Sequence, residues 1–366
     1  MRQIASIEIR TIVSELQSLV GCYLKKFYDL GDGSFRMLFS STQGNQMLYI
    51  KLLHTVNKTI IAEEVDEPTN FAKAIRKRIL GMKVKSVAQR YADRIITVQF
   101  TSADEDPRLI IEMFGKGNLI LTNRDFEIMV CYHVAKLKER EISPHSIYQF
   151  PQGKKLVLSE LGRAGAGEIL QALKGSNERL IKELSGNIDI GPLYLEDIIL
   201  ASGMDPKSKA SELFNTEVLA ANLVNFIRES DSPRPRIYSR DGKYEDYSIL
   251  PIRKYRDLQA KEFKSLSEAL EEFYSEERTR LERDEEEVNE IIANIEKQKS
   301  IIKELKDSEK EYAEAGHKIF ERMREINQMI DYIGEHRRVT LQELQSAFGI
   351  KIKSIDLKNK SVVIDL

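Results

Sequence analysis

From Tyr274 to Ile333 apolar side chains return every third or fourth residue, through Leu281, Val288, Ile291, Ile295, Ile302, Leu305, Ile319, Ile326 and Ile330. Of eighteen seam positions in this register thirteen are apolar, sustained over more than eight heptads. A seam of that length predicts a coiled-coil arm, or at least one long helix with a partner, over residues 265–335. At 1.5 Å per residue it would reach roughly 90 Å. Off the seam the arm is strongly charged: Glu276–Glu287 holds seven acids and three arginines. That composition suits a solvated spacer and not a phosphate binder.

The rest of the chain divides around this arm. Residues 1–155 read as β-rich and framed by two helices. The first helix is expected over Ile7–Val20 with Ser6 as its N-cap, and the second from Pro68 through Leu80. Between and after them come short strand-like runs, Tyr23–Leu30, Phe35–Ser40, Met47–Leu53, Val84–Val87, Ile95–Phe100, Leu109–Phe114, Asn118–Thr122 and Ile128–Val134. Tight polar turns such as Gly31-Asp32-Gly33-Ser34 join them, so the fold class is an antiparallel α+β domain without Rossmann alternation. Residues 156–232 read as short helices, including Glu178–Leu184, Tyr194–Ala201 and Thr216–Arg228, and the glycine-rich Gly162–Gly167 as a loop. Residues 233–264 begin with a Ser-Pro-Arg-Pro linker and continue as a hairpin connector around Asp241-Gly242. Residues 336–366 read as a small α/β tip, with helix Leu341–Phe348 and strands Lys351–Asp356 and Ser361–Leu366.

The 366 residues carry 56 Lys+Arg against 58 Asp+Glu, a net charge of −2. No run of roughly 18–20 uncharged apolar residues offers a membrane span, and the N-terminus lacks an export-signal core. The two cysteines, Cys22 and Cys131, form no thiolate motif; with the missing signal they point to a cytoplasmic protein without a disulfide framework. The Walker phosphate loop, HExxH, GxSxG and a complete GxGxxG are all absent from the sequence. The five histidines share no ligand spacing, and His133 reads as a structural residue in an apolar strand. Neither an enzyme nor a cofactor is indicated.

Charge is concentrated in Phe71–Arg94, where Lys73, Arg76, Lys77, Arg78, Lys83, Lys85, Arg90 and Arg94 face one acid, Asp93. On a helical wheel Phe71, Ala72, Ile75 and Ile79 share one side, and Lys73, Arg76 and Lys77 the other. Cations standing on a helix whose back is buried are placed as phosphate contacts require. Arg78 falls on the apolar side and needs a partner or an outward path. The competing reading is a solvated basic face; the density of charge favours a polyanion surface.

Several blocks together resemble the N-terminal half of the NFACT family, which includes eukaryotic NEMF and bacterial RqcH and is also called fibronectin-binding protein A-like. They are the opening helix IASIEIRTIVSEL, the stretch Glu67–Phe100 with its Gln-x-x-x-Asp-Arg pattern, the Lys-Gly-Asn hairpin within Ile110–Asn123, Gly191–Pro206, and Lys261–Tyr274. The resemblance implies an NFACT-N domain similar to the N-domain of formamidopyrimidine-DNA glycosylases, a helix-hairpin-helix domain, and the coiled-coil arm with its tip. It also implies a ribosome quality-control factor that binds large ribosomal subunits obstructed by peptidyl-tRNA. Such a factor engages aminoacyl-tRNA and supports mRNA-independent C-terminal tailing, while the ribosome makes the peptide bond.

Carried over residue by residue, Glu8, Asp93 and Arg94 fall at positions implicated in tRNA engagement. Lys73, Arg76, Lys77, Arg78, Arg90 and Lys116 are the candidate RNA phosphate contacts. Glu8 departs from the family's more frequent aspartate. The chain also lacks the family's returning helix and C-terminal NFACT-R domain, so it reads as a fragment whose unpaired seam would form a homodimer, a lattice contact or a frayed helix. A DNA glycosylase needs a proline nucleophile and a glutamate at its mature N-terminus, where this chain has Arg2 and Gln3. A fibronectin-binding adhesin would need an export signal.

Overall fold

The computed structural model describes residues 2–61, 67–90, 93–102, 106–137, 140–151, 163–336, 338–359 and 361–365, without the side chains of 163–164 and 276–290. They fall into two compact units, Met1–Arg278 and Thr279–Leu366.

The first unit is built on one sheet. Helix α1 (Ser6–Glu15) tightens into a 3₁₀ turn at Leu16–Leu19. Strands β1 (Tyr23–Gly31), β2 (Ser34–Ser41), β3 (Gly44–Lys51) and β4 (Thr55–Thr59) follow, then helix α2 (Asn70–Ile79). Strands β5 (Lys83–Gln89), β6 (Ile95–Thr101), β7 (Arg108–Glu112), β8 (Asn118–Thr122) and β9 (Ile128–Cys131) complete the sheet. Its order is β4-β3-β2-β1-β5-β6-β7-β8-β9. Every neighbouring pair is antiparallel, as the short strands and tight turns predict. Alternation sorts the side chains to two faces. Along β6, Ile96, Val98 and Phe100 join the main core, whereas Ile95 joins a second cluster with Ile110, Ile120 and Tyr148. The sheet brings its far strands together, since the Tyr132 hydroxyl accepts a hydrogen bond from the Gly33 N–H at 3.2 Å and its ring meets Phe35 at 4.9 Å.

A short ladder of β10 (Ala135–Lys136) with β11 (Glu141–Ile142) leads to the helical part: α3 (Arg163–Leu173), α4 (Leu180–Asn187), α5 (Pro192–Ala201) and α6 (Thr216–Glu229). A three-stranded sheet follows, with β12 (Arg236–Arg240) between β13 (Lys243–Ser248) and β14 (Gln259–Glu262). Helix α7 (Leu266–Glu321) then starts in the same core through Leu266, Ala269, Leu270 and Tyr274. Its first turn is capped from a distance, because the Glu15 carboxylate accepts the N–H groups of Leu266 at 2.6 Å and Ser267 at 3.0 Å.

In the second unit, α8 (Met323–Glu335) buries Met329 and Ile333 with Leu344 of α9 (Leu341–Phe348) and Ile352 of β15 (Lys351–Asp356), which pairs with β16 (Ser361–Asp365). Thr340 caps α9 and Gly349 ends it with a φ of 63°. Between residues 291 and 319 of α7 the seam residues face solvent, with Ile291, Ile295, Ile302 and Leu305 between 45% and 63% exposed.

The structure corrects several local expectations. Ser6 is the first helical residue and Ala5 the N-cap, because Glu8 supplies the acceptor for the Ala5 N–H at 2.7 Å. Thr69, not Pro68, opens α2 by accepting the Ala72 N–H. The glycine-rich run from Arg163 to Gly167 is helical, since burial of Ala166 and Leu170 outweighs the glycines; Gly162, like all of 152–162, lies outside the described residues. Strand β9 ends at Cys131, so His133 sits in an exposed turn instead of a strand. The Asn118 side chain holds that turn by two hydrogen bonds to the His133 backbone. Strands β4 and β14 carry few apolar residues and escape the alternation rule.

Candidate nucleic-acid interface

Glu8 is the third residue of α1 and is 0% exposed. Four donors occupy its carboxylate. Arg2 reaches Oε1 at 2.5 Å and Oε2 at 3.1 Å, the Tyr194 hydroxyl donates to Oε1 at 2.6 Å, and the Ala5 N–H donates to Oε2. The Arg2 guanidinium also donates to Asp246 at 2.6 Å and to the Tyr247 carbonyl at 3.0 Å, and lies over the Tyr247 ring at 3.9 Å. Burial alone would lower the pKa of Arg2, but the neighbouring Glu8 carboxylate above all raises it well past its ordinary value. Tyr194 and Tyr247 are pushed up chiefly by burial, with the Glu8 charge adding to both. This ion pair ties the chain's start and α1 to α5 and β13. Glu8 therefore cannot touch a ligand from its buried place, and its part at this site is to fix Arg2 and the helices around it.

Asp93 and Arg94 close the turn between β5 and β6. The Asp93 N–H donates to the Arg90 carbonyl at 2.9 Å, and the Arg90 N–H to Ile95 at 3.1 Å. Gln89, four residues before Asp93, staples this turn to α1. Its Nε2 donates to the Asp93 carbonyl at 2.9 Å and to the Ser6 carbonyl at 3.0 Å. The half-buried Arg94 side chain donates to Gln3 Oε1 at 2.8 Å. The Gln-x-x-x-Asp-Arg spacing thus positions an arginine beside the chain's first residues.

Arg94 and Arg2 share a cleft of about 440 Å³ with Gln3, Asp189, Gly191 and Leu193, where α4 turns into α5. Gly191 permits the closeness. Its φ is 114°, and a Cβ there would lie 2.6 Å from the Ala5 Cβ. Pro192 occupies the first turn of α5. The charge of this cleft is mixed: Arg94 donates to the neutral Gln3 amide, whereas Arg2 is neutralised by Glu8 and Asp246, and Asp189 lines the same space.

The other sequence-selected cations are distributed differently. Lys73 and Lys77 stand exposed on α2, as the helical wheel predicts. Arg76 instead folds back, donating to the Phe27 carbonyl at 2.7 Å and lying over Tyr28. Arg78 finds its partner in the Ala74 carbonyl at 3.1 Å. Arg90 lies over Phe150 at 3.5 Å. Lys116 is exposed in the turn before β8, and Lys85 is paired with Asp106 at 2.7 Å. Helix α2 packs on β1 and β9, away from the 89–95 turn. The structure therefore joins Glu8, Asp93 and Arg94 at one corner and leaves the basic helix as a separate surface. Sequence reasoning records Gln89 only as part of the Gln-x-x-x-Asp-Arg pattern and does not select Arg2, Gly191 or Tyr194 for this site; of these three only the Gly-Pro start of α5 carries a local signal.

An antiparallel sheet flanked by two helices, a helical segment docked on its corner, and a cleft lined by Arg2 and Arg94 together define an α+β head continued by a long helix. The chain belongs to the family described as NFACT N-terminal and middle domains, whose model matches residues 6–358. It is 26% identical over 326 residues to the archaeal Rqc2 homologue aRqcH of Methanocaldococcus jannaschii, covering 86% of this chain and 48% of that protein. It is 22% identical over 302 residues to the human ribosome quality control complex subunit NEMF, covering 74% and 28%. The chain thus spans about half or less of the curated relatives it matches. The N-terminal part of the fibronectin/fibrinogen-binding protein of Streptococcus suis superposes with a TM-score of 0.60 at 19% identity, covering 75% of this chain and 99% of that one, a likeness of fold. Among the described residues no helix is long and apolar enough to cross a membrane.

Proposed function

We propose that this chain is the RNA-gripping part of a cytoplasmic, non-enzymatic ribosome quality-control factor. It engages tRNA on large ribosomal subunits obstructed by peptidyl-tRNA and presents aminoacyl-tRNA for mRNA-independent tailing by the ribosome. Its family membership and relatives named as quality control subunits support the setting. The observation that carries the site is Arg94, held on the cleft wall by the Gln89 staple with Gln3 as its side-chain partner among the described residues. In this reading Arg94 contacts the tRNA backbone, Asp93 shapes the turn, and Glu8 and Arg2 fix the corner. Lys73, Lys77 and Lys116 add phosphate contacts, while Arg76, Arg78 and Arg90 support the surface. The heptad spacing and exposure of the α7 seam support pairing with a partner helix, in this reading a second copy of the chain, which a mass measurement in solution checks.

The test is tRNA binding by fluorescence anisotropy across a salt series. Arg94→Ala should weaken binding about tenfold. Reversing charge at Lys73 and Lys77 should flatten the salt slope by roughly 2. Parent-like affinity and slope in both variants would refute the assignment. Co-sedimentation of the longer protein with peptidyl-tRNA-bearing large subunits tests the setting separately.

A further inference from the structure

A second cleft, of about 540 Å³, opens where the C-terminal half of α5 and the end of α6 meet the three-stranded sheet. Its floor is apolar and buried, formed by Ile198, Leu250 and Ile252. Four arginines reach its lining, Arg234, Arg236, Arg253 and Arg256, against two carboxylates, Asp197 and Glu229. Their partners divide them into two pairs.

Arg253 is anchored by Asp197, which is 5% exposed and accepts both its backbone N–H and its guanidinium at 2.6 Å. Arg236 is anchored by Glu262 at 2.6 Å. These two are held in place. Arg234 is different: its side chain has no hydrogen-bond or ionic partner among the described residues. Among the described residues Arg256 meets only Asp257, at 3.7 Å, where both side chains are more than 80% exposed and water screens the pair. Two guanidinium groups thus keep their donor forks open at one apolar-floored cavity, an arrangement suited to bidentate phosphate recognition.

Glu229 is exposed at the same opening and forms no ion pair among the described residues. A carboxylate there disfavours a bare anion, and favours one that brings hydroxyl donors with it, as a ribose does. The half-buried Tyr255 ring, tilted against Tyr238 at 4.7 Å, offers a face for a flat base. The volume lies in the range of small-ligand sites.

We propose that this cleft binds a nucleoside monophosphate unit, with phosphate on Arg234 and Arg256, ribose hydroxyls on Glu229 and the base over the apolar floor beside Tyr255. The unit comes either as a free nucleotide or as one nucleotide of an RNA strand. The proposal goes beyond the tRNA reading of the first cleft and is probed without tRNA.

The experiment titrates the chain calorimetrically with adenosine and uridine monophosphates, deoxyadenosine monophosphate, inorganic phosphate and a short oligouridylate. Ribonucleotides should saturate one site more tightly than the deoxynucleotide or phosphate, and the double variant R234E/R256E should lose at least about tenfold in affinity at an unchanged melting temperature. Saturation by mononucleotides identifies the free ligand as a source. Saturation by the oligonucleotide alone, lost in the same variant, identifies the strand. The proposal is overturned if neither a mononucleotide nor the oligonucleotide saturates, if phosphate binds as tightly as either, or if the double variant binds like the parent.

Discussion

Replacing Glu8 by alanine removes the acceptor of four hydrogen bonds in a place water does not reach. At an effective dielectric of about 20, unit charges about 3 Å apart attract by about 5–6 kcal/mol. Most of that offsets the desolvation of the pair, and breaking a buried ion pair costs about 3–5 kcal/mol in practice. Arg2 keeps Asp246 and the Tyr247 ring and is a quarter exposed, which lowers its share. Against that, the Tyr194 hydroxyl and the Ala5 N–H lose their acceptor, at about 1–3 kcal/mol for a buried group. The expected loss for Glu8→Ala is about 3–5 kcal/mol, a large part of an ordinary domain's stability. Glu8→Gln keeps a neutral acceptor and should lose less, about 2–3 kcal/mol. Urea melts of both variants, of Arg2→Met and of Arg2→Met/Glu8→Gln form a double-mutant cycle. A coupling of about 2 kcal/mol or more between the two positions is expected. If Glu8→Ala costs under about 1 kcal/mol, or the cycle is additive, the buried-hub account is wrong.

Three further outcomes follow from the geometry. Gly191→Ala places a Cβ 2.6 Å from the Ala5 Cβ in a left-handed backbone, and should cost about 2–4 kcal/mol by thermal melting, with tRNA affinity falling as the first cleft opens. Gln89→Ala leaves every charge in place but frees the Asp93-Arg94 turn from Ser6; it should cost about 1–2 kcal/mol and weaken tRNA binding, whereas unchanged affinity would remove the staple from the argument. Tyr148, Tyr194, Tyr247 and Tyr255 all have folded pKa values raised first of all by burial. Their stabilising effect is complete below the unfolded tyrosine pKa of about 10 and is lost as pH rises beyond it, so tyrosinate absorbance should show these four titrating together with unfolding.

Part of the candidate site was legible before its geometry. The basic face of α2 follows from periodicity, whereas Asp93, Arg94 and Gln89, four residues before Asp93, stand out only through the resemblance to the family. What they touch did not follow. Arg76 looked like an open cation and is folded onto a strand carbonyl, because β1 passes beneath α2. Glu8, which the resemblance places in tRNA engagement, is fully buried, because Tyr194 and Arg2 converge on it from residues 186 positions downstream and 6 positions upstream. The glycines of α3 read as a loop and are helical because α6 covers that face.

By itself, then, the sequence set the repeating features. Strand alternation, turn residues, the heptad register of α7 and the caps of α9 each depend on neighbours a few residues apart, where sterics and hydrogen bonding act within one segment. Only the tertiary structure decided which charges are spent and which stay open. A side chain's partner is chosen by whatever distant segment packs against it, and the free energy of a charge depends on the water that packing removes. Arg2, Arg94 and Arg234 are the same residue type in one chain: packing locks the first into a buried pair, sets the second on a cleft wall and leaves the third without a partner among the described residues.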